Sequence, residues 1–342
     1  MRIAFFSMNP DFCQHILEEL GRHHTLKVWQ NNSNEQIKWA SITNLLDWCD
    51  VAYLEWLQPP NIEITQIQGL DKPLVLFCHG IDVMNHSFVD WRNIAGLITQ
   101  NALYPRLLGL RKEWEKNNPN RPPLPPLPKK TMLQDIGIDL RAFDLLPEPI
   151  PQYHIVTHAS WIRPVKRIYA TIQAFDDLLQ LDGDKPWKLT IVGEWEGPGY
   201  RGPDRTEYLR ACRELMDQLK FPPGSLFLKT KNFPRDVWTN FAKTADLYWC
   251  LSWRESFGVS MAEVCASGGY PLVNNYLGAD KIYPRKYLCR TPGEMVRKTI
   301  AWGNLETEQK VQERTNIRKH IEQYSARTAA KKIRIFLEGI AG

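Results

Sequence analysis

Two glutamates stand eight positions apart in SWRESFGVSMAEVCASGG, residues 252–269. Glu255 and Glu263 flank a small-residue turn, Ser256-Phe257-Gly258-Val259, and a run of Ala, Cys, Ser and Gly follows. The apolar stretch before them, ADLYWCLSW, has the character of a buried strand, and the segment after Gly258 that of a helix. In a parallel sheet, ligands collect at the carboxyl ends of strands, where loops meet helix amino termini. The exposed N–H groups of such a terminus suit an anion, and a glycine there lets a ligand approach the backbone. A phosphate at the helix start, with polyhydroxylated groups by Glu255 and by Glu263, fits that layout. Two bland alternatives stand beside it. Ser260-Met-Ala-Glu263 fits a helix capping box, and the small residues behind it could simply permit close helix–sheet packing.

The elements that must position these residues are legible as alternation. RIAFFSM, DVAYLEWL, KPLVLFCHG and AGLITQ read as strands in the first half. YHIVTHASW, WKLTIVGEW, SLFLKT, ADLYWCLSW and YPLVNN read as strands in the second. Amphipathic stretches such as ILEELGRH, IYATIQAFDDLLQ, RTEYLRACRELMDQL and RDVWTNFAKT lie between them. Strand runs apolar throughout and separated by helices predict parallel sheets covered on both faces. The series occurs twice, so two doubly wound α/β domains are expected. The join is placed near LLPEPIPQY (145–153), giving a first domain over 1–150 and a second over 151–307. The basic, helix-rich tail 308–342 is expected to cross back to the first domain. Inside that domain, NNPNRPPLPPLPKK (117–130) reads as a stiff exposed loop, with an SH3-type ligand as the alternative.

The totals narrow the class. A chain of 342 residues with 43% hydrophobic and 24% charged side chains is a globular composition of two-domain size. No run approaches the ~20 apolar residues of a membrane span, and MRIAFFSMNPD reads as a first strand and its loop rather than a secretion signal. Seven scattered cysteines without CxxC spacing predict reduced thiols in a cytoplasmic protein and no zinc site. Of the 43 basic and 38 acidic residues, about 14 and 17 fall in 1–150, which leaves the second half basic. Nucleic acid is not expected as a partner, because no recognition motif accompanies the charge. Peripheral membrane contact stays open.

At this point the sequence resembles the family-4 retaining glycosyltransferases of the GT-B fold. Their signature of Glu, seven residues and Glu, with Phe-Gly between, stands here as Glu255-Ser-Phe-Gly-Val-Ser-Met-Ala-Glu263. SLFLKTKNFPRDVWTNFAKTADLYWCLSWRESFG follows the family's order of strand, loop, Pro, helix, Ala-Asp, strand and signature. WKLTIVGEWEG, RPVKRIYATIQAF, VLFCHGID (75–82) and IGIDLRAF (136–143) resemble further family segments in the same order. The likeness covers roughly residues 150–300 well and the first domain more weakly.

The resemblance implies two Rossmann-like domains facing across a cleft, and transfer of a sugar from a nucleotide-sugar donor to an acceptor hydroxyl with retention. A UDP- or GDP-linked donor is expected, with a saccharide, lipid or protein acceptor. No metal is expected, in keeping with the absence of an Asp-x-Asp motif near a strand end, nor any other cofactor. Glu263 would bind the ribose hydroxyls and Glu255 those of the transferred sugar. Backbone amides around Ser256, Phe257, Gly258 and Val259 would face the sugar and diphosphate. Lys166 would neutralise the leaving diphosphate, and His79 would stand near the donor sugar; no general base is assigned. The sequence also departs from the family. Trp161 holds the position of an arginine, leaving Arg163 or Arg167 to supply a second positive charge. SMNPDFCQH replaces the glycine-rich loop after the first strand, and GPGYRGPDR is longer than the usual turn. These departures keep an alternative in view: a GT-B protein with epimerase or phosphorylase chemistry, or an inactive glycan- or partner-binding module. Trp161, Trp195, Trp249 and Trp253 could stack on sugar but more readily serve as core. The loop Lys231-Asn232-Phe233 is the expected place for base contacts.

Overall fold

A computed structural model of the chain describes residues 1–8, 10–30, 37–145, 152–195 and 203–342. It divides into two compact units, residues 1–137 with 324–342, and residues 138–323. Most of the expected join, 146–151, lies outside the described residues, as do 196–202 of the long turn.

The first unit runs β1 (Arg2–Phe6), α1 (Gln14–His23), β2 (Thr25–Trp29), α2 (Trp39–Trp48), β3 (Val51–Glu55), α3 (Asn61–Thr65), β4 (Leu74–Cys78), β5 (Ile94–Thr99), α4 (Tyr104–Asn117) and β6 (Lys130–Leu133). Its six strands are all parallel, in the order β2-β1-β3-β4-β5-β6. Alternate residues of one strand enter different cores, as a strand's two-residue period requires. Ile3 and Phe5 join Tyr53, Val75 and Phe77 on one face, whereas Ala4 and Phe6 join Leu54 and Leu76 on the other. That is why these runs are apolar throughout. β2 was not among the expected strands: it is an edge strand, and only Trp29 of its five residues is buried. Beyond Asn117, the last residue of α4, the proline-rich segment forms no regular element up to Lys130; Arg111 holds the carbonyls of Leu124 and Pro125, and Leu127 packs on the core.

The second unit runs β7 (His154–Trp161), α5 (Ile168–Leu181), β8 (Lys188–Glu194), α6 (Pro203–Leu219), β9 (Leu226–Lys229), α7 (Arg235–Ala242), β10 (Leu247–Cys250), α8 (Val259–Ala266), β11 (Tyr270–Asn274), β12 (Leu288–Cys289), α9 (Pro292–Gly303) and α10 (Thr307–Ile321). The parallel order β12-β11-β10-β7-β8-β9 reverses direction between β7 and β10, which is the doubly wound arrangement with its ligand crevice at the switch point. Gly193 near the end of β8 has a packing reason. A Cβ there would stand 2.0 Å from the carbonyl oxygen of Ala159 on β7, where the register shifts.

The last helix, α11 (Ala326–Ala341), belongs to the first unit, and α10 to the second. It packs against α1, where Arg334 Nε donates to Glu19 Oε1 at 2.9 Å and His24 Nε2 meets Glu338 Oε1 at 3.0 Å. Among the described residues no helix is long and apolar enough to cross a membrane.

Candidate active site

The switch point of the second unit brings two loops together. One follows β7 and carries a 3₁₀ turn, Pro164–Lys166; the other follows β10 and leads into α8. The Trp253 N–H donates to the Val165 carbonyl at 3.0 Å and ties them. The adjoining Lys166 Nζ then lies 2.6 Å from Glu255 Oε1, with the two side chains only 17% and 16% exposed. Arg167, the next residue, takes the left-handed region at φ 53°. For a residue with a Cβ this is a strained conformation of the kind that clusters at functional sites. Its guanidinium lies 5.7 Å from the centre of the Trp253 ring, which is exposed.

Gly258 starts α8 in the left-handed region, at φ 76°, where a side chain would be strained. The first i to i−4 bond of the helix runs from the Ala262 N–H to the Gly258 carbonyl, 3.0 Å. The N–H groups of Val259, Ser260 and Met261 precede it and give the terminus its positive end. The capping-box alternative is not what forms. The cap is Gly258 with no side-chain bond, and Ser260 Oγ instead meets His158 Nδ1 at 2.7 Å. The other nitrogen, His158 Nε2, faces Asn232 Oδ1 at 3.2 Å, while Asn232 Nδ2 donates to the Ser160 carbonyl. An amide oxygen only accepts, so Nε2 carries the proton and Nδ1 accepts from the serine hydroxyl. Burial pushes the His158 pKa down to about 4, aided by the charge of Lys166 and opposed by the Asn232 bond and Glu255.

Glu263, one turn into α8, is 2% exposed. Its Oε1 accepts from Arg235, the first residue of α7, and its Oε2 from Trp238 Nε1 at 2.6 Å. Burial raises its pKa, and the Arg235 charge and both hydrogen bonds lower it. Trp161 ends β7 beneath Arg205, whose guanidinium lies 5.7 Å from the indole centre. Arg205 donates to the carbonyls of Ile162 and Glu194 at 3.0 and 2.8 Å, so it clamps the ends of β7 and β8. Arg163 precedes the Lys166 turn with extended backbone. Of the remaining tryptophans, Trp195 and Trp249 are core.

His79 belongs to a separate cluster in the first unit, at the carboxyl ends of β3, β4 and β5. The ring is 1% exposed. Gln100 Nε2 donates to Nδ1 at 3.0 Å, and Nε2 bonds the carboxylate of Glu55, which is fully buried. The His79 N–H donates to Asp82 Oδ2 at 3.0 Å, and burial pushes the Asp82 pKa up to about 6. Phe12, from the loop that replaces the glycine-rich one, meets the imidazole edge-on at 5.7 Å, and the Trp56 ring lies 4.5 Å away.

The second unit thus gathers Lys166, Glu255, Gly258 and Glu263, four of the residues singled out in the sequence. Sequence reasoning missed His158, Ser260 as its partner, Arg235 and Trp238. A signal existed for the last two: Arg235 and Trp238 are three apart, on one face of a helix. Among the described residues no cluster of three or more His, Cys, Asp or Glu side chains could hold a metal ion.

Residues 148–290 match the family described as glycosyl transferases group 1. The segment contains every second-unit residue placed at the site above. No curated protein sequence matches the chain. Solved structures similar along the whole chain include the following three. Sucrose-phosphate synthase from Thermosynechococcus elongatus has a TM-score of 0.73 at 12% identity, covering 99% of each chain. The UDP-forming α,α-trehalose-phosphate synthase of Burkholderia xenovorans has a TM-score of 0.70 at 10% identity, covering 100% of this chain and 99% of that one. Anabaena Alr3699/HepE, solved in complex with UDP-glucose, has a TM-score of 0.69 at 14% identity, covering 99% and 100%. The fold is that of the GT-B glycosyltransferases, with two Rossmann-like units, as the resemblance in sequence implied.

Proposed function

We propose that the protein is a metal-independent retaining glycosyltransferase that moves a sugar from a nucleotide-sugar donor to an acceptor hydroxyl. One observation carries the reading. At a doubly wound switch point, inside the segment that matches group 1 glycosyl transferases, Lys166 lies 2.6 Å from Glu255, which stands three residues ahead of the glycine that starts α8. A cation and a helix terminus placed together suit a diphosphate leaving group, because both offer positive charge where negative charge develops. Lys166 takes the diphosphate in this reading, and Glu255, released from it, accepts from hydroxyls of the transferred sugar. Glu263 accepts from the ribose. The departing phosphate is the group that receives the acceptor's proton, so no protein base is required. UDP is favoured over GDP because HepE was solved with UDP-glucose and the Burkholderia enzyme is UDP-forming. Seven buried, unbridged thiols support a reducing compartment such as the cytoplasm.

The test is a thermal-shift panel with UDP, GDP, ADP and dTDP in the presence of a chelator. A nucleotide at 100 times its Kd adds about 2.7 kcal/mol, a shift of several degrees. A shift with one nucleotide, followed by product NMR showing an unchanged anomeric configuration, is the expected result. No shift at millimolar concentration would overturn the reading. Trp161, in the place of a phosphate-binding arginine, favours one second reading, a GT-B protein that binds its donor without transferring it. Donor binding with no turnover across saccharide and lipid acceptors would select it.

A further inference from the structure

Glu263 presents an unusual combination. The carboxylate is 2% exposed, yet the Arg235 side chain that reaches it is 58% exposed. The guanidinium also lies over the Phe143 ring, 5.0 Å from its centre. Trp238 supplies the second donor, so one face of α7 delivers both. We infer that Arg235 is a positioning residue that holds Glu263 ionised and oriented for the vicinal hydroxyls of the donor's nucleoside, an inference that rests on the role proposed above for Glu263.

A carboxylate offers about four lone-pair sites, two on each oxygen. Arg235 uses one on Oε1 and Trp238 one on Oε2, which leaves one on each oxygen. That is the pattern a vicinal diol needs, since its two hydroxyls can each donate to one oxygen. A protonated acid loses this symmetry, because one oxygen then carries a hydrogen. Burial pushes Glu263 toward that form, and Arg235 is the charge that opposes it.

The surroundings leave Glu263 as the group whose charge Arg235 controls. On β7, burial holds His158 near a pKa of 4. On β10, burial pushes the Tyr248 hydroxyl well up and the Cys250 thiol to about 12. Cys265 of α8 itself is raised by burial, and Tyr270 of β11 is pushed up to about 12. From α10, Arg314 and Arg318 bond the carbonyls of Ser267 and Ala266, at the far end of α8. Asp236 beside Arg235 on α7 is exposed.

The experiment measures UDP affinity by calorimetry from pH 5.5 to 9 for the wild type, Arg235→Ala and Arg235→Lys. The diphosphate's own titration cancels in the ratio of variant to wild type. For Arg235→Ala the ratio should be within about threefold at pH 9 and worsen by up to about tenfold per pH unit on acidification. Arg235→Lys should restore most of the affinity at low pH, and adding Glu263→Gln to Arg235→Ala should abolish the pH dependence. A deficit equal at every pH would mean a packing role only and overturn the inference, as would unchanged or tighter binding. A wild type that binds no nucleoside diphosphate would overturn the proposed function along with it.

Discussion

Lys166 Nζ donates to Glu255 Oε1 across 89 residues of sequence, at 2.6 Å, and the contact exists because Trp253 and Val165 join the two loops through their backbones. The pair is mostly buried, at 17% and 16% exposure, and desolvation offsets much of its attraction, so its net contribution to stability is modest, on the order of 1 kcal/mol. Its contribution to transfer should be larger. Lys166→Ala should lower kcat by about a hundredfold or more, as loss of one preorganised positive donor does, while the thermal midpoint moves by a few degrees at most. Steady-state kinetics at saturating donor check this, and an unchanged kcat would remove Lys166 from the site.

Glu263 makes a different prediction, because its partners are internal. Glu263→Ala should raise the donor KM far more than it lowers kcat. It also leaves the buried Trp238 Nε1 without an acceptor, a penalty of about 1–3 kcal/mol. Trp238→Phe keeps the ring and removes only the donor, so its donor KM should fall between those of the wild type and Glu263→Ala. A Glu263→Ala enzyme with normal KM would show that the carboxylate serves only packing.

His158 should give the protein an acid-sensitive stability. Its folded pKa of about 4 lies below the ordinary 6.5 because burial disfavours the imidazolium. The unfolded chain therefore binds more protons between those values, so stability is full above pH 6.5 and is lost as pH falls toward 4. The whole effect is about 3 kcal/mol for this shift. Asp82, raised by burial to about 6, acts in the opposite sense: its stability is lost as pH rises from 3.8 to 6. The readout is therefore the difference between wild type and His158→Gln. The wild type should lose more of its thermal midpoint between pH 7 and 5, and parallel losses would refute the assignment.

His79 and Glu55 form a buried pair, at 1% and 0% exposure. Removing the imidazole leaves the buried Glu55 carboxyl without its hydrogen-bond donor in an apolar setting, which is destabilising by about 1–3 kcal/mol. His79→Ala should therefore lower the thermal midpoint substantially, and His79→Ala combined with Glu55→Leu should recover part of the loss. A His79→Ala protein with an unaltered midpoint and lost transfer activity would instead favour the catalytic role that the family resemblance implies.

The chain's strands were readable because a parallel strand buried on both faces must be apolar throughout, as Phe5 and Phe6 are on opposite sides of β1. Edges were less readable. β2 exposes most of its side chains, and β12 is two residues long, so neither leaves an apolar run. The loop after β1 was recognised as unusual, but only packing shows that it sets Phe12 against His79.

The sequence by itself determined only local parts of the candidate site: spacing within one loop and helix marked the two glutamates and the glycine that turns α8, and the family resemblance marked the lysine ahead of α5. Only the tertiary structure decided their partners. Ser260 reaches His158 over 102 residues, Glu263 reaches Arg235 over 28, and His79 reaches Glu55 over 24. A capping box needs only neighbours in sequence and was therefore conceivable from it. The bond that replaced it depends on where the sheet places the end of β7 beside the start of α8, and periodicity does not encode that position.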